Sequence, residues 1–176
     1  MKIGFCGTMS VGKTTLVNAL AKLPEFKNYT TRTERSKYLM EMGIPLNTDS
    51  TAKGQAVFLA ERASELMQAN IITDRTIIDV MAFAKCSESM DYIEADSFCS
   101  FANHMLSEYD YIFYVSPEGI DIENNGVRET NADYRKQIDE AIQLLIIRYR
   151  HKIKNLIEIK GSTEERIKSV NQAISS

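Results

Sequence analysis

Between an apolar run and a helical one, the chain carries Gly7-Thr8-Met9-Ser10-Val11-Gly12-Lys13-Thr14, which satisfies G-x-x-x-x-G-K-[ST] at every fixed position. Each residue type has a separate task in that pattern. Gly7 and Gly12 let the backbone wrap closely around an anion. The amides of Thr8, Ser10, Val11 and Gly12, continued by Thr15 in the first helical turn, present positive ends to it. Lys13 supplies a cation and Thr14 a hydroxyl oxygen for a divalent metal. The chemistry selected is the binding of a triphosphate, with ATP and Mg2+ as the expected pair.

A metal-assisted transfer needs a second carboxylate near the cation, and Asp74 ends the apolar run Ile71-Ile72-Thr73, where a strand-end acid faces a ligand crevice. Thr14 and Asp74 are therefore the expected metal-side oxygens. Arg75, next in the chain, has the planar fork that grips phosphoryl oxygens or substrate, a structural salt bridge being the alternative. Asp79 reads as a helix cap. Arg32, Glu34 and Arg35 follow a weak second strand and stand where an acceptor would enter, a solvated charged helix face being the alternative. For a hydroxyl acceptor, Glu34 or Asp74 is the candidate base; for a phosphate acceptor no base is needed and the arginines become a clamp. Gln55 offers donor and acceptor groups to a base or ribose. Arg128, in the polar stretch Asn124-Asn125-Gly126-Val127-Arg128-Glu129, suits a lid near 117–135 that brings a cation to the transferring group, with Arg135 behind it. His104 and His151 show no ligand or triad spacing.

These side chains need a scaffold that alternates strands and helices. Strands are expected at Lys2 to Cys6, Tyr29 to Thr31, Ile71 to Thr73, Tyr111 to Val115 and Leu156 to Ile159, the fourth reading as central. Helices are expected from Gly12 to Leu23, through Tyr38 to Met42, from Ala52 to Ala69 behind an Asp49 or Ser50 cap, and from Ile77 to Lys85 behind Thr76 and Asp79. Three more are expected from Tyr92 to Glu108, after a Thr130 and Asp133 cap, and after Ser162 and Glu165 through Val170. This order predicts an α/β, three-layer, doubly wound sheet of about five parallel strands in a single domain over residues 1–176, with ligands at the carboxyl ends of the strands.

Composition narrows the function. The 176 residues hold 21 basic and 24 acidic side chains, a formal charge of −3, so no broad basic face for duplex nucleic acid is expected. Cys6, Cys86 and Cys99 are far apart, without a C-x-x-C pair, which fits a reducing cytoplasm rather than a disulfide framework or zinc site. The opening MKIGFCG runs into a strand, leaving no room for a signal peptide, and no apolar stretch reaches bilayer length. No membrane association is expected. A second copy of the chain is a candidate partner.

The phosphate-loop pattern, the Thr73-Asp74-Arg75-Thr76-Ile77-Ile78-Asp79 stretch and the Asn125-Gly126-Val127-Arg128 stretch occur in that order. In them the chain resembles the AAA-type P-loop kinases related to bacterial ribosylnicotinamide kinases, and it is similar to the deoxynucleoside kinases. The resemblance covers nearly the whole chain and implies a P-loop NTPase fold of nucleoside/nucleotide kinase type, a Mg-ATP donor, an Asp-Arg pair at Asp74 and Arg75, and a lid arginine at Arg128. The chain departs from the deoxynucleoside kinase pattern in lacking a Glu-Pro motif after the second strand, which bears on Glu34 as the base.

Rival readings fail at specific positions. A GTPase would carry N-K-x-D and D-x-x-G, and a remodelling ATPase an Asp-Glu pair where Asp74 is followed by Arg75. The expected function is ATP-dependent transfer of the γ-phosphate to a nucleoside or nucleotide-like small molecule. The alternatives are a nucleotide-binding regulatory ATPase and a polynucleotide 5′-kinase.

Overall fold

The computed structural model describes residues 1–33, 35–119 and 131–175. Within them, strands β1 (Lys2–Cys6), β2 (Thr30–Arg32), β3 (Ile71–Asp74), β4 (Tyr111–Val115) and β5 (Asn155–Ile159) form a parallel sheet in the order β2-β3-β1-β4-β5. The helices are α1 (Lys13–Leu20), α2 (Ser36–Glu41), α3 (Ala52–Glu65), α4 (Ile77–Lys85), α5 (Tyr92–Ala102), α6 (Ala132–Tyr149) and α7 (Thr163–Ile174).

Successive side chains of a strand point to opposite faces, and here both faces are apolar, as a parallel sheet covered on both sides requires. Ile3, Phe5, Ile72, Phe113 and Val115 join Leu16, Val17, Leu20 and Val170 in a core against α1 and α7. Cys6, Ile112 and Tyr114, from the alternate positions, join Ile77, Ile78, Met81, Ile138 and Ile142 in a core against α4 and α6. Phe5 stacks on Phe113 with ring centroids 5.3 Å apart, so neighbouring strands are locked in register by aromatic packing as well as by the ladder.

The helix starts are specified locally. Thr76 with Asp79 and Ser162 with Glu165 form reciprocal capping boxes for α4 and α7, as their spacing predicts. Two caps differ from expectation. Thr51 rather than Asp49 or Ser50 caps α3, because Asn47–Asp49 forms a separate 3-10 turn and the Thr51 side chain reaches the Gly54 N–H. Asn131 caps α6 through the Asp133 and Tyr134 N–H groups; Thr130 lies outside the described residues. α1 stops at Leu20 rather than Leu23, ahead of a 3-10 turn that opens at Pro24, and α5 passes at Asn103 into another 3-10 turn.

The central strand is β1, with β4 beside it, which corrects the reading of β4 as central. Strand order reverses around β1, and the loop after it therefore opens into the crevice at the switch point. Register sets Phe5 beside Asp74, so the end of β3 stands next to the start of the phosphate loop. Among the described residues no helix is long and apolar enough to cross a membrane.

Gly4, in the middle of β1, allows β1 and the turn after β3 to approach closely. A Cβ at this position would lie 2.5 Å from Thr76 Cγ2 and 2.7 Å from the Tyr109 ring. Both neighbours are buried, so neither can move without disturbing the α4 cap or the core. Gly4→Ala is expected to lower the unfolding free energy by about 1–3 kcal/mol, the range for overpacking, as read from urea denaturation.

Candidate functional site

The loop Gly7–Gly12 wraps back over the N-terminus of α1. Three of its residues have positive φ: Gly7 at 149°, Ser10 at 58° and Gly12 at 81°. At Gly7 a side chain is excluded twice, since a Cβ would also lie 2.7 Å from the Val115 carbonyl. Met9, Ser10, Val11, Gly12, Lys13 and Thr14 line a small cavity together with Asp74 and Arg75. Lys13 is buried, and its ammonium donates to the carbonyls of Gly7 and Thr8 at 2.6 and 2.7 Å. It is folded across the mouth of the loop it belongs to. The Thr14 hydroxyl donates to Asp74 Oδ2, which brings two hard oxygen ligands to one point beside the cradle. Thr15 is exposed on the outer side of α1.

Oxygen pairs of this kind suit Mg2+, which keeps several waters and takes only one or two protein ligands beside phosphate oxygens. Among the described residues no group of three or more His, Cys, Asp or Glu is assembled to hold a metal by itself. The residues present thus fit a cation that arrives with a triphosphate.

Asp79, which the sequence offers as a cap, holds more than its helix. Oδ2 accepts the Thr76 N–H at 2.7 Å and the Thr76 hydroxyl at 3.0 Å, while Oδ1 accepts the Gly7 N–H at 3.2 Å. The carboxylate is fully buried, and burial raises its pKa against the lowering effect of Lys13 and Arg75.

Arg75 has φ 85°, a left-handed conformation that is unfavourable for a residue with a Cβ. Strain of this type clusters at functional sites. Its N–H donates to Phe5 O at 3.0 Å and its guanidinium lies 4.8 Å over the Phe83 ring. Arg75 lines the phosphate cradle and also a second cavity, bounded by Asn47, Gln55, Phe58, Asp79 and Phe83. Gln55 is 2 % exposed, and no described residue hydrogen-bonds its side-chain amide. A buried amide that lines a cavity with aromatic walls has both a donor and an acceptor to offer there.

Two other expected site residues, Arg32 and Arg35, do not line this cavity. Arg35 pairs with Glu61 at 3.0 Å and stacks on Tyr38, and Arg32 is exposed at the end of β2. Glu34 and Arg128, with most of the expected lid, lie outside the described residues. Arg135, named only as a secondary candidate, docks directly on the loop: Nε donates to Met9 O at 3.2 Å, and its carbonyl accepts from the Thr8 hydroxyl at 2.9 Å.

Arg62 was not legible in the sequence. It is 3 % exposed, donates to the Asp74 carbonyl at 2.9 Å and pairs with Glu65 at 2.7 Å. It grips β3 at the residue whose side chain meets Thr14. The i,i+3 spacing of Arg62 and Glu65 was the available signal, but that spacing is just as frequent on solvated helix faces.

A family model described as an AAA domain matches residues 2–166. No curated protein matches the chain. Among solved structures, deoxyadenosine kinase from M. mycoides with the products dCMP and a flexible dCDP has a TM-score of 0.67 at 17% identity, covering 99% of this chain and 98% of that one. The same enzyme with dCTP gives 0.66 at 17%, and with dATP 0.66 at 19%, each covering 100% of both chains. At these identities the likeness establishes a shared fold.

The buried Arg62–Glu65 pair makes stability depend on pH. Burial pushes the Glu65 carboxyl up to about 7 from 4.5, outweighing the lowering by Arg62. The folded state therefore binds the proton more tightly than the unfolded chain does. That contribution is complete below about pH 4.5 and is lost as pH rises through about 7. Urea midpoints of the wild-type chain are expected to decline across that window, and Glu65→Gln, which does not titrate, to flatten the decline. An equal slope in both proteins removes Glu65 as its source.

Proposed function

From the premise that this chain belongs to the AAA domain family, we propose that it is a Mg2+-dependent kinase moving the γ-phosphate of ATP to a nucleoside or nucleotide-like small molecule. One observation supports this most directly: Arg75 borders both the phosphate cradle and the adjoining cavity that Gln55, Phe58 and Phe83 also line. A donor site and an acceptor site that share a cation suit the direct passage of an anionic group from one to the other.

Each residue has a part in this reading. Lys13 leaves the Gly7 and Thr8 carbonyls for the β- and γ-phosphates, and the loop amides hold the rest of the triphosphate. Thr14 and Asp74 hold Mg2+, which supplies charge neutralisation on the phosphate oxygens. Arg75, with Arg135 and the lid Arg128, stabilises the charge on the transferring group. An acceptor oxygen bonds to the γ-phosphorus as the bond to the β,γ-bridging oxygen breaks. A hydroxyl acceptor passes its proton to Asp74 or Glu34, and a phosphate acceptor needs no base. Gln55 reads a planar base between the two rings, since an amide both donates and accepts. Arg32 and Arg35 serve a phosphate-bearing acceptor from the rim.

The deoxyadenosine kinase with the same fold has been captured with dATP, dCTP and dCMP, which supports a nucleoside or nucleotide acceptor here. The second cavity takes Arg75 as its cation and is otherwise bordered by neutral or apolar groups and Asp79, a lining that favours a small molecule over a polynucleotide. The partners in this reading are ATP and the acceptor, without duplex nucleic acid and with a second copy of the chain as a candidate. Cys6 and Cys99 are buried free thiols and Cys86 is partly buried, which suits a reducing cytoplasm; the reading further takes residues 1–176 as one enzyme domain with a lid near 117–135.

ATP consumption with Mg2+ against a panel of nucleosides, nucleoside monophosphates and nicotinamide riboside tests the reading. One acceptor is expected to stimulate turnover. Lys13→Ala should reduce that turnover on the order of 10²-fold or more, and Gln55→Leu should raise the acceptor KM about tenfold with little change in ATP KM. Tight ATP binding with no stimulation by any acceptor sinks the small-molecule kinase and favours a regulatory ATPase or a polynucleotide 5′-kinase.

A further inference from the structure

Arg166, on α7, reaches the phosphate loop from the helix that shares a core with α1. Its side chain is 4 % exposed, and NH1 donates to the Val11 carbonyl at 2.6 Å. The other guanidinium nitrogens, Nε and NH2, are buried without a hydrogen-bond partner among the described residues. Burying a guanidinium with one bond made and two groups unmet is costly. A surface-facing rotamer would avoid that cost, so the contact with Val11 is specified by its surroundings.

The contact has a geometric consequence. Every peptide bond in the described residues is trans, and in a trans unit C=O and N–H point in opposite directions. With its carbonyl held toward α7 by Arg166, the Val11–Gly12 peptide turns the Gly12 N–H to the far side. The small cavity lined by Met9 to Thr14 lies along the same residues. Gly12 is suited to this in two ways. Its φ of 81° is left-handed, and a Cβ there would lie 3.2 Å from Arg166 NH1. The close approach of the guanidinium and the turn of the backbone thus meet at one residue.

We propose that Arg166 is a positioning residue for phosphate binding, fixing the Val11–Gly12 peptide so that the Gly12 N–H is presented to the triphosphate. The proposal rests on the reading of this loop as a phosphate cradle. Arg166 touches no substrate in it. Its effect passes through the loop backbone, which would otherwise be free to turn the Val11 carbonyl, a negative dipole end, toward the anion.

Three substitutions separate this from a general packing role. Arg166→Lys keeps a cationic donor, Arg166→Gln keeps a shorter neutral one, and Arg166→Met keeps bulk without any donor. ATP and inorganic pyrophosphate are titrated into each by calorimetry. The Gly12 amide is followed by 1H–15N NMR, and Tm is recorded alongside.

Affinity for both probes is expected to fall in the order wild type, Lys, Gln, Met, with a loss of about tenfold or more for Met. The ligand-induced shift of the Gly12 amide should shrink in the same order, whatever the ranking of Tm. Unchanged affinity across the series, or affinity that follows Tm rather than the donor at position 166, overturns the proposal. A wild-type chain that binds neither ATP nor pyrophosphate overturns the cradle reading itself, and this proposal with it.

Discussion

The Asp79 carboxylate is the contact on which the site depends. It sits at the start of α4, yet one of its oxygens reaches across to the Gly7 N–H while the other holds the Thr76 backbone and hydroxyl. The loop after β1 and the turn after β3 are thereby tied through one buried charge. Burial opposes such a charge, and three hydrogen bonds, with Lys13 and Arg75 nearby, offset part of that cost. Because the carboxylate also borders the second cavity, displacement of the α4 start would disturb both halves of the site.

A second buried charge system, on α3, braces the same region. Arg62 and Glu65 project from α3 to the end of β3, where the guanidinium donates to the Asp74 carbonyl. The Asp74 backbone is therefore held by Arg62 while its side chain meets Thr14. The left-handed Arg75 follows at once. A sharp reversal next to a fixed strand end points the Arg75 side chain into the crevice and not along the sheet, at a cost of order 1 kcal/mol or more that the surrounding bonds offset. α3, α4 and α7 each contribute a buried polar side chain to the backbone of the site, so that its rigidity comes from the fold as a whole.

Much of this was legible because the signals are local. The phosphate loop is a contiguous pattern whose glycines answer to backbone dihedrals. The capping boxes at Thr76 and Ser162 follow from residues three apart, and the continuous apolar runs mark strands buried on both faces. Where local signals compete, the reading slipped by a few residues. Asp49 and Ser50 are good caps in isolation, but the 3-10 turn at Asn47–Asp49 uses them, and Thr51 takes the α3 N-terminus.

The sequence by itself determined the alternation of strands and helices and the phosphate loop with Lys13 and Thr14, because those properties depend on residue types at short spacing, and it marked Asp74 and Arg75 by their place at the end of an apolar run. Only the tertiary structure decided that β1 is central, that Gln55 is buried facing a cavity with aromatic walls, that Asp79, Arg135 and Arg166 converge on the loop, and that Arg62 holds the Asp74 carbonyl. Arg166 lies 155 positions from Val11 along the chain. Hydrogen bonds over such separations depend on which strands pair and which helix faces meet, and neither is encoded in any short stretch of residues.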